Sequence, residues 1–215
     1  MNLDIAIIIV IALNVIISFT GFNDFNFFEK YKFHIGAIRR GEHIRSVSSG
    51  FLHVDMSHLI FNMLTLYFFA PIVIQYFGNI KFGILYFISL IAGSLLALVF
   101  HKDEYNYSAV GASGAVTGVL YSAILLQPEM KLGFFFIPIP IPAYIFGIGY
   151  LLYSIYGMKN KLGNIGHTAH FGGAIGGYAA TLLLMPSLIF EHTLMVVLLA
   201  IPILILFVLE KLGKI

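Results

Sequence analysis

Cysteine is absent from all 215 residues, which excludes disulfides, thiolate metal sites and a cysteine nucleophile. Tryptophan is absent too, so any aromatic belt at a membrane surface must come from the 12 tyrosines and 21 phenylalanines. Charge is scarce: Asp, Glu, Lys and Arg together make 10% of the chain, against about a quarter in an average soluble protein. The net charge of +2 gives no reason to expect a nucleic-acid partner. The first apolar run starts near residue 5 with no basic residue before it and no small-residue cleavage site after it, so it reads as a retained span and not as a signal peptide.

What is present is apolar. Hydrophobic residues make 60% of the sequence, and the mean hydropathy is +0.95. Too little polar surface remains to cover a water-soluble globule, so lipid is the expected solvent. Only helices or a closed barrel satisfy a backbone there. The apolar runs are long and unbroken rather than alternating, which favours helices. Seven candidate spans cover about 4–20, 51–74, 80–100, 110–127, 134–157, 166–185 and 192–210. The fourth is the shortest and cannot cross a hydrocarbon core of about 30 Å unaided, so it is expected to begin within the membrane. Residues 21–50 mix aromatics with Lys30, Lys32, Arg39, Arg40 and Arg45, as a segment lying in the interface does. Residues 101–109 form a short polar loop, 128–133 and 158–165 short turns. Pro138, Pro140 and Pro142 are expected to open the fifth span with an irregular first turn. No internal repeat interrupts what reads as a single domain over 1–215.

No Asp, Glu, Lys or Arg lies well inside a span, so the polar groups at membrane depth form a short list. Such groups are costly and tend to be functional. Ser113 stands in Gly111-Ala112-Ser113-Gly114 at the start of the fourth span. A serine at a helix start has free backbone N–H groups beside it, donors suited to a developing oxyanion. The same stretch also fits simple helix packing, because Gly114 and Gly118 make a GxxxG. His170 in the sixth span shares one helical face with Gly173 and Gly177. Packing that stripe on Gly114, Gly118 and Ser122 brings His170 towards Ser113, a base towards a nucleophile. A lone histidine hydrogen-bonded between helices is the alternative. His58 and Asn62, four apart on one face of the second span, offer two converging donors. They suit an oxyanion hole, or equally an interhelical hydrogen bond. His53 falls near the membrane edge, where a structural role is expected.

Together these pieces resemble the rhomboid intramembrane proteases over about residues 42–178. His58 and Asn62 match the family's H-x-x-x-N element, Gly111 to Gly114 its G-x-S-G element, and His170, Gly173 and Gly177 its H-x-x-G-x-x-x-G element. Each motif is weak alone; their order on the second, fourth and sixth spans is specific. The resemblance implies an all-α polytopic membrane protein with a six-helix core, about 42–186, plus one C-terminal transmembrane helix, about 192–210. It implies a serine endopeptidase that cleaves transmembrane segments of other proteins in the bilayer, through Ser113 and His170 without an acidic third member. Ser113 N–H, His58 and Asn62 would hold the oxyanion, with Gly111, Gly114, Gly118, Gly173 and Gly177 as helix-packing positions and no metal, nucleotide or redox cofactor. The 101–109 loop and the fifth span are the expected walls of its water-filled cavity, and a bacterial cell inner membrane is the expected location. The sequence carries no indication of oligomeric state.

Three positions depart from the family pattern. Its frequent Trp-Arg pair reads Ile44-Arg45, its Glu four before the glycine after the second span is Ile74, and the aromatic four residues after the serine is Thr117. The last departure removes a ring that often stacks on the catalytic histidine, so His170 needs other support. A competing class is a membrane transporter or metal-binding protein, with His53, His58, His167 and His170 as imidazole ligands. Against it, the spans lack carboxylates and there is no HExxH. A relative that binds helices without cutting them is the third reading, and the retained Ser113 and His170 speak against it. On orientation, loops on one side hold Lys81 and Lys131, those on the other Lys30, Lys32, Arg39, Arg40, Arg45, Lys102, Lys159, Lys161, Lys211 and Lys214. The positive-inside rule sets the richer side in the cytoplasm. The resemblance sets the N-terminus inside and opens the site outward, and is preferred because an interfacial first loop holds its charges at headgroups on either side.

Overall fold

In a computed structural model that describes residues 4–134, 137–160 and 166–215, the apolar runs become helices. α1 covers Ile5–Asn23, followed by short helices α2 (Phe25–Tyr31), α3 (Ile35–Arg39) and α4 (Arg45–Ser48). α5 runs from Met56 to Phe100 but breaks at Gly78, whose φ of 76° and ψ of 170° are not helical. That conformation is open almost only to glycine. The break divides α5 into two arms, 56–77 and 79–100, in place of the second and third expected spans. α6 (Ser113–Leu126), α7 (Ala143–Asn160), α8 (His167–Leu184), α9 (Leu188–Glu191) and α10 (Thr193–Lys211) complete the helices.

The burial pattern is that of a protein dissolved in lipid. On α1, Ile5, Ile9, Ile16 and Phe19 point outward, while Asn14 and Ser18 are buried. Asn14 reaches the Tyr86 hydroxyl at 3.3 Å on the second arm of α5. Large apolar side chains are likewise exposed along α5 and α10. Water would penalise such a surface, and hydrocarbon does not. Among the described residues three helices, α1, α5 and α10, are long and apolar enough to cross a membrane by length and composition. The chain is an all-α polytopic membrane protein. α6, with 14 residues, is only about 21 Å long at 1.5 Å per residue. It is enclosed by α5 and α8, and every residue from Gly114 to Leu126 is buried.

Two expectations are corrected. The prolines do not open the fifth helix. They lie in strand β4 (Ile137–Pro142), which pairs antiparallel with β3 (Lys131–Phe134), and the helix begins at Ala143. Proline lacks an N–H and fixes φ near the extended region, so prolines at alternate positions suit an edge ribbon better than a helical turn. Strand β3 likewise takes part of the turn expected at 128–133. The turn expected at 158–165 begins inside α7, which continues to Asn160; the stretch 161–165, with Lys161, lies outside the described residues.

The second correction concerns the 101–109 loop. It pairs with the first connecting region, and only its end, Ala109, reaches a small cavity near Ser113, not the large one: β1 (Phe33–His34) is antiparallel to β2 (Ser108–Ala109). Arg40 bonds the Tyr105 hydroxyl. The His101 ring stacks on Tyr107 at 3.6 Å and meets the Thr168 hydroxyl at 3.2 Å. Burial pushes the Tyr107 hydroxyl pKa up, so this anchor stays protonated.

Arg45 holds the first connecting region together. Its guanidinium donates to the Glu29 carbonyl at 2.7 Å and the Lys32 carbonyl at 3.1 Å, and pairs with Glu42 at 2.8 Å. Arg45→Ala strands those acceptors and is expected to cost about 2–3 kcal/mol. A lower Tm in detergent and earlier proteolysis around residues 24–48 are the readouts. Arg45→Lys is expected to recover only part, because a point charge cannot serve three acceptors in a fork. A wild-type Tm in Arg45→Ala would remove this anchor from the account.

Candidate active site

Ser113 is the first residue of α6, and the first helical bond runs from Val116 N–H to Ala112 O at 2.9 Å. The Ser113, Gly114 and Ala115 N–H groups therefore stand outside the ladder of their own helix. The approach to this helix is fixed from both sides. The Gly111 N–H donates to Ser49 O at 3.0 Å, and the Ala112 N–H reaches His53 Nε2 at 3.4 Å. His53 is fully buried, and Ser18 lies 2.8 Å from its Nδ1 while donating to Phe51 O at 2.9 Å. With Nε2 accepting from Ala112, Nδ1 carries the proton and donates to Ser18. His53 thus ties α1, the 49–53 segment and the loop before Ser113 together, the structural role expected of it.

α8 brings His170 opposite Ser113, with Nε2 2.9 Å from the serine Oγ. The glycines explain how two helices approach so closely. A Cβ on Gly173 would fall at 2.9 Å or less from three backbone atoms of Gly114, and one on Gly177 would collide with the backbone of Gly118. Ser122 continues the line through a 2.7 Å bond with Thr181. Gly111 is not part of this packing stripe, contrary to expectation. It precedes the helix with φ of 130°, a region that favours glycine. Its close neighbour is the His58 ring, which a Cβ would approach to 2.6 Å.

His58 and Asn62 lie on the first arm of α5 and line the same cavity as Ser113, His167 and His170. The cavity has a volume of about 860 Å³, within the range of small-molecule and peptide sites. Asp55 caps the helix start by accepting from the His58 backbone N–H at 2.7 Å. The His58 ring sits edge-on to that of His53 at 4.9 Å. Asn62 directs one amide proton to His58 O at 3.0 Å and has a second left for the cavity. His167, also buried, lies 5.9 Å from the His170 ring, near Tyr153. Among the described residues no group of three His, Asp or Glu side chains gathers as a metal site would.

Sequence reasoning missed Tyr150. It projects from α7 into the cavity, stacks on His170 with centroids 5.1 Å apart and planes at 30°, and places its hydroxyl 2.9 Å from Nδ1. Thr117 stands four residues after the serine, and its hydroxyl donates to Ser113 O at 2.6 Å. The ring lost at position 117 is supplied from a different helix.

Residues 40–187 match the family model of the rhomboid domain. The chain is 32% identical over 143 residues to RHOMBOID-like protein 12, mitochondrial, of Arabidopsis thaliana, covering 60% of this chain and 42% of that protein. It is 33% identical over 137 residues to Rhomboid protein 1, mitochondrial, of Saccharomyces cerevisiae, covering 62% and 40%. Rhomboid protease GluP of Bacillus subtilis is 31% identical over 143 residues, 66% of this chain and 26% of that protein. The chain thus spans about two fifths or less of the length of these relatives.

Proposed function

The chain belongs to the rhomboid family, and from that premise we propose that it is an intramembrane serine endopeptidase acting on transmembrane segments of other proteins. The observation that carries the reading is the 2.9 Å contact between Ser113 Oγ and His170 Nε2 at the edge of a cavity inside a lipid-solvated bundle. One of the relatives is itself named a protease.

In this mechanism His170 Nε2 takes the Ser113 proton as Oγ attacks a peptide carbonyl. The carbonyl oxygen becomes an oxyanion held by the Ser113 N–H and by the side chains of His58 and Asn62. Collapse passes the proton from His170 to the leaving amine and leaves an acyl-enzyme on Ser113. Water, deprotonated by the same histidine, then releases the acid. A substrate helix has its backbone paired internally and must unwind locally before its carbonyl is free. The 860 Å³ cavity, walled by α5, α6, α7 and α8, gives an unwound segment and a water molecule room. The whole of residues 1–215 acts as one domain in this proposal, with α10 appended to the catalytic core. The N-terminus is set inside, and the bacterial cell inner membrane is retained as its location. The relatives include one from a bacterium and two with mitochondrial names.

Covalent capture tests the reading. A fluorophosphonate probe is expected to label the purified wild-type protein in detergent and to leave Ser113→Ala unlabelled. Equal labelling of both would end the proposal. A transporter or histidine metal protein has no reason to show serine-dependent capture.

A further inference from the structure

We infer that His53 is a positioning residue for the oxyanion hole, holding in place both the loop that carries the Ser113 N–H and the ring of His58, and that Ser18 makes α1 part of this support. The inference rests on the proposed reading of Ser113 as nucleophile, with its N–H, His58 and Asn62 as oxyanion donors.

Each ring nitrogen of His53 is assigned by its own partner. A backbone N–H can only donate, so Nε2 accepts from Ala112 across 3.4 Å. Ser18 has a single hydroxyl proton, which goes to the Phe51 carbonyl at 2.9 Å. Its oxygen therefore accepts from Nδ1–H across 2.8 Å. The two ends require the same tautomer, a neutral ring with its proton on Nδ1. The ring is fully buried, so a bond lost here is not replaced by bulk water.

This bridge holds the chain just before the nucleophile. The Gly111 N–H is fixed on Ser49 O at 3.0 Å and the Ala112 N–H on His53, so two successive peptide planes are pinned. With those planes fixed, the Ala112 dihedrals, φ of −70° and ψ of −4°, set the direction of the Ser113 N–H. The His58 ring is held by the same parts. It stands edge-on to His53 with centroids 4.9 Å apart, and it lies so near Gly111 that a Cβ there would come within 2.6 Å of it. His53 does not itself line the large cavity; it acts through the Ser113 N–H and the His58 ring, which do face the reaction. Ser18 stands on α1, ahead of the stretch 40–187 that matches the family model. A helix outside that stretch thus fixes the tautomer of a residue inside it.

Nitrogen-15 NMR of histidine-labelled protein in detergent reads the tautomer, with His53→Gln assigning the signal. The wild-type His53 is expected to be neutral and protonated at Nδ1. His53→Leu keeps the bulk and removes the acceptor. It is expected to lower kcat about 10–100-fold, as a displacement of up to about 1 Å at an oxyanion donor does, with KM little changed and rates taken well below its Tm. His53→Gln, which offers a carbonyl oxygen near the place of Nε2, is expected to recover most of that kcat, and Ser18→Ala to lose less than His53→Leu. In a His58→Ala background His53→Leu is expected to cost clearly less than alone, because part of what it positions is already gone. A residue that only holds the fold together would lower Tm and leave that coupling at zero. A wild-type His53 protonated at Nε2 overturns the inference, and that result requires no altered protein to fold. So do a wild-type kcat in His53→Leu, or losses that multiply with His58→Ala, while Ser113-dependent cleavage persists; these leave the protease reading standing. Absence of any Ser113-dependent cleavage in the wild type removes the protease reading and this inference with it.

Discussion

Removing the Ser113 hydroxyl or the His170 imidazole is expected to lower kcat for a reconstituted transmembrane substrate by about 10⁴–10⁶-fold, and removing both is expected to cost no more than removing either. The non-additivity is the informative part. A serine without its base is a weak nucleophile, and a base without its serine has no proton to accept, so each single loss empties the same step. The 2.9 Å contact makes the two one unit. His58→Ala and Asn62→Ala are expected to fall far less, by about 10²–10³-fold or below, because the remaining donors still hold part of the oxyanion charge. Initial rates in proteoliposomes for Ser113→Ala, His170→Ala and the double variant give the comparison. If the single losses multiply in the double variant, the two side chains act independently and the dyad reading is wrong.

Much of this site was legible in the sequence because its signals are local. Gly111 to Gly114 and His170 to Gly177 are contiguous, and helical periodicity alone sets His170, Gly173 and Gly177 on one face. The polar residues at membrane depth are few enough to enumerate. Tyr150 was not legible for the opposite reason. It is one of 12 tyrosines, in a span with no motif, and its partner His170 lies 20 positions away. A signal did exist: with no carboxylate well inside a span and no aromatic at position 117, a group that orients the His170 ring must come from another helix. The α7 face carrying Phe146 and Tyr150 was the place to look. The β3–β4 ribbon escaped because prolines at 138, 140 and 142 in an apolar run satisfy both a helix entry and an extended edge, and only a partner strand decides between them. The β1–β2 pairing of the first connecting region with the 101–109 loop joins residues about 75 apart, each strand two residues long, below what alternation can reveal.

Gly173→Ala is expected to be the most damaging single-methyl change in the protein. Its Cβ would fall onto the backbone of Gly114, and backbone cannot swing aside as a side chain does. The helices must part. Gly114 follows Ser113 directly, and Gly173 is one turn from His170, so the parting acts on the dyad itself. A displacement of about 1 Å at reacting atoms is worth about 100-fold in rate, and the lost packing along α6 and α8 is expected to cost about 2–4 kcal/mol besides. Gly177→Ala meets Gly118 in the same way one turn further along, away from the nucleophile. It is expected to match Gly173→Ala in lost stability but to retain more of the rate. Gly83→Ala is the control: a Cβ there meets nothing within 4 Å, and alanine in place of a helical glycine adds up to about 1 kcal/mol. Its Tm is expected to equal or exceed the wild type. Rates and Tm measured for the three variants in one detergent separate the cases. A Gly173→Ala protein with wild-type rate and Tm would mean that α6 and α8 do not meet along this line, and the approach that brings an imidazole to a serine inside the bilayer would have no physical basis.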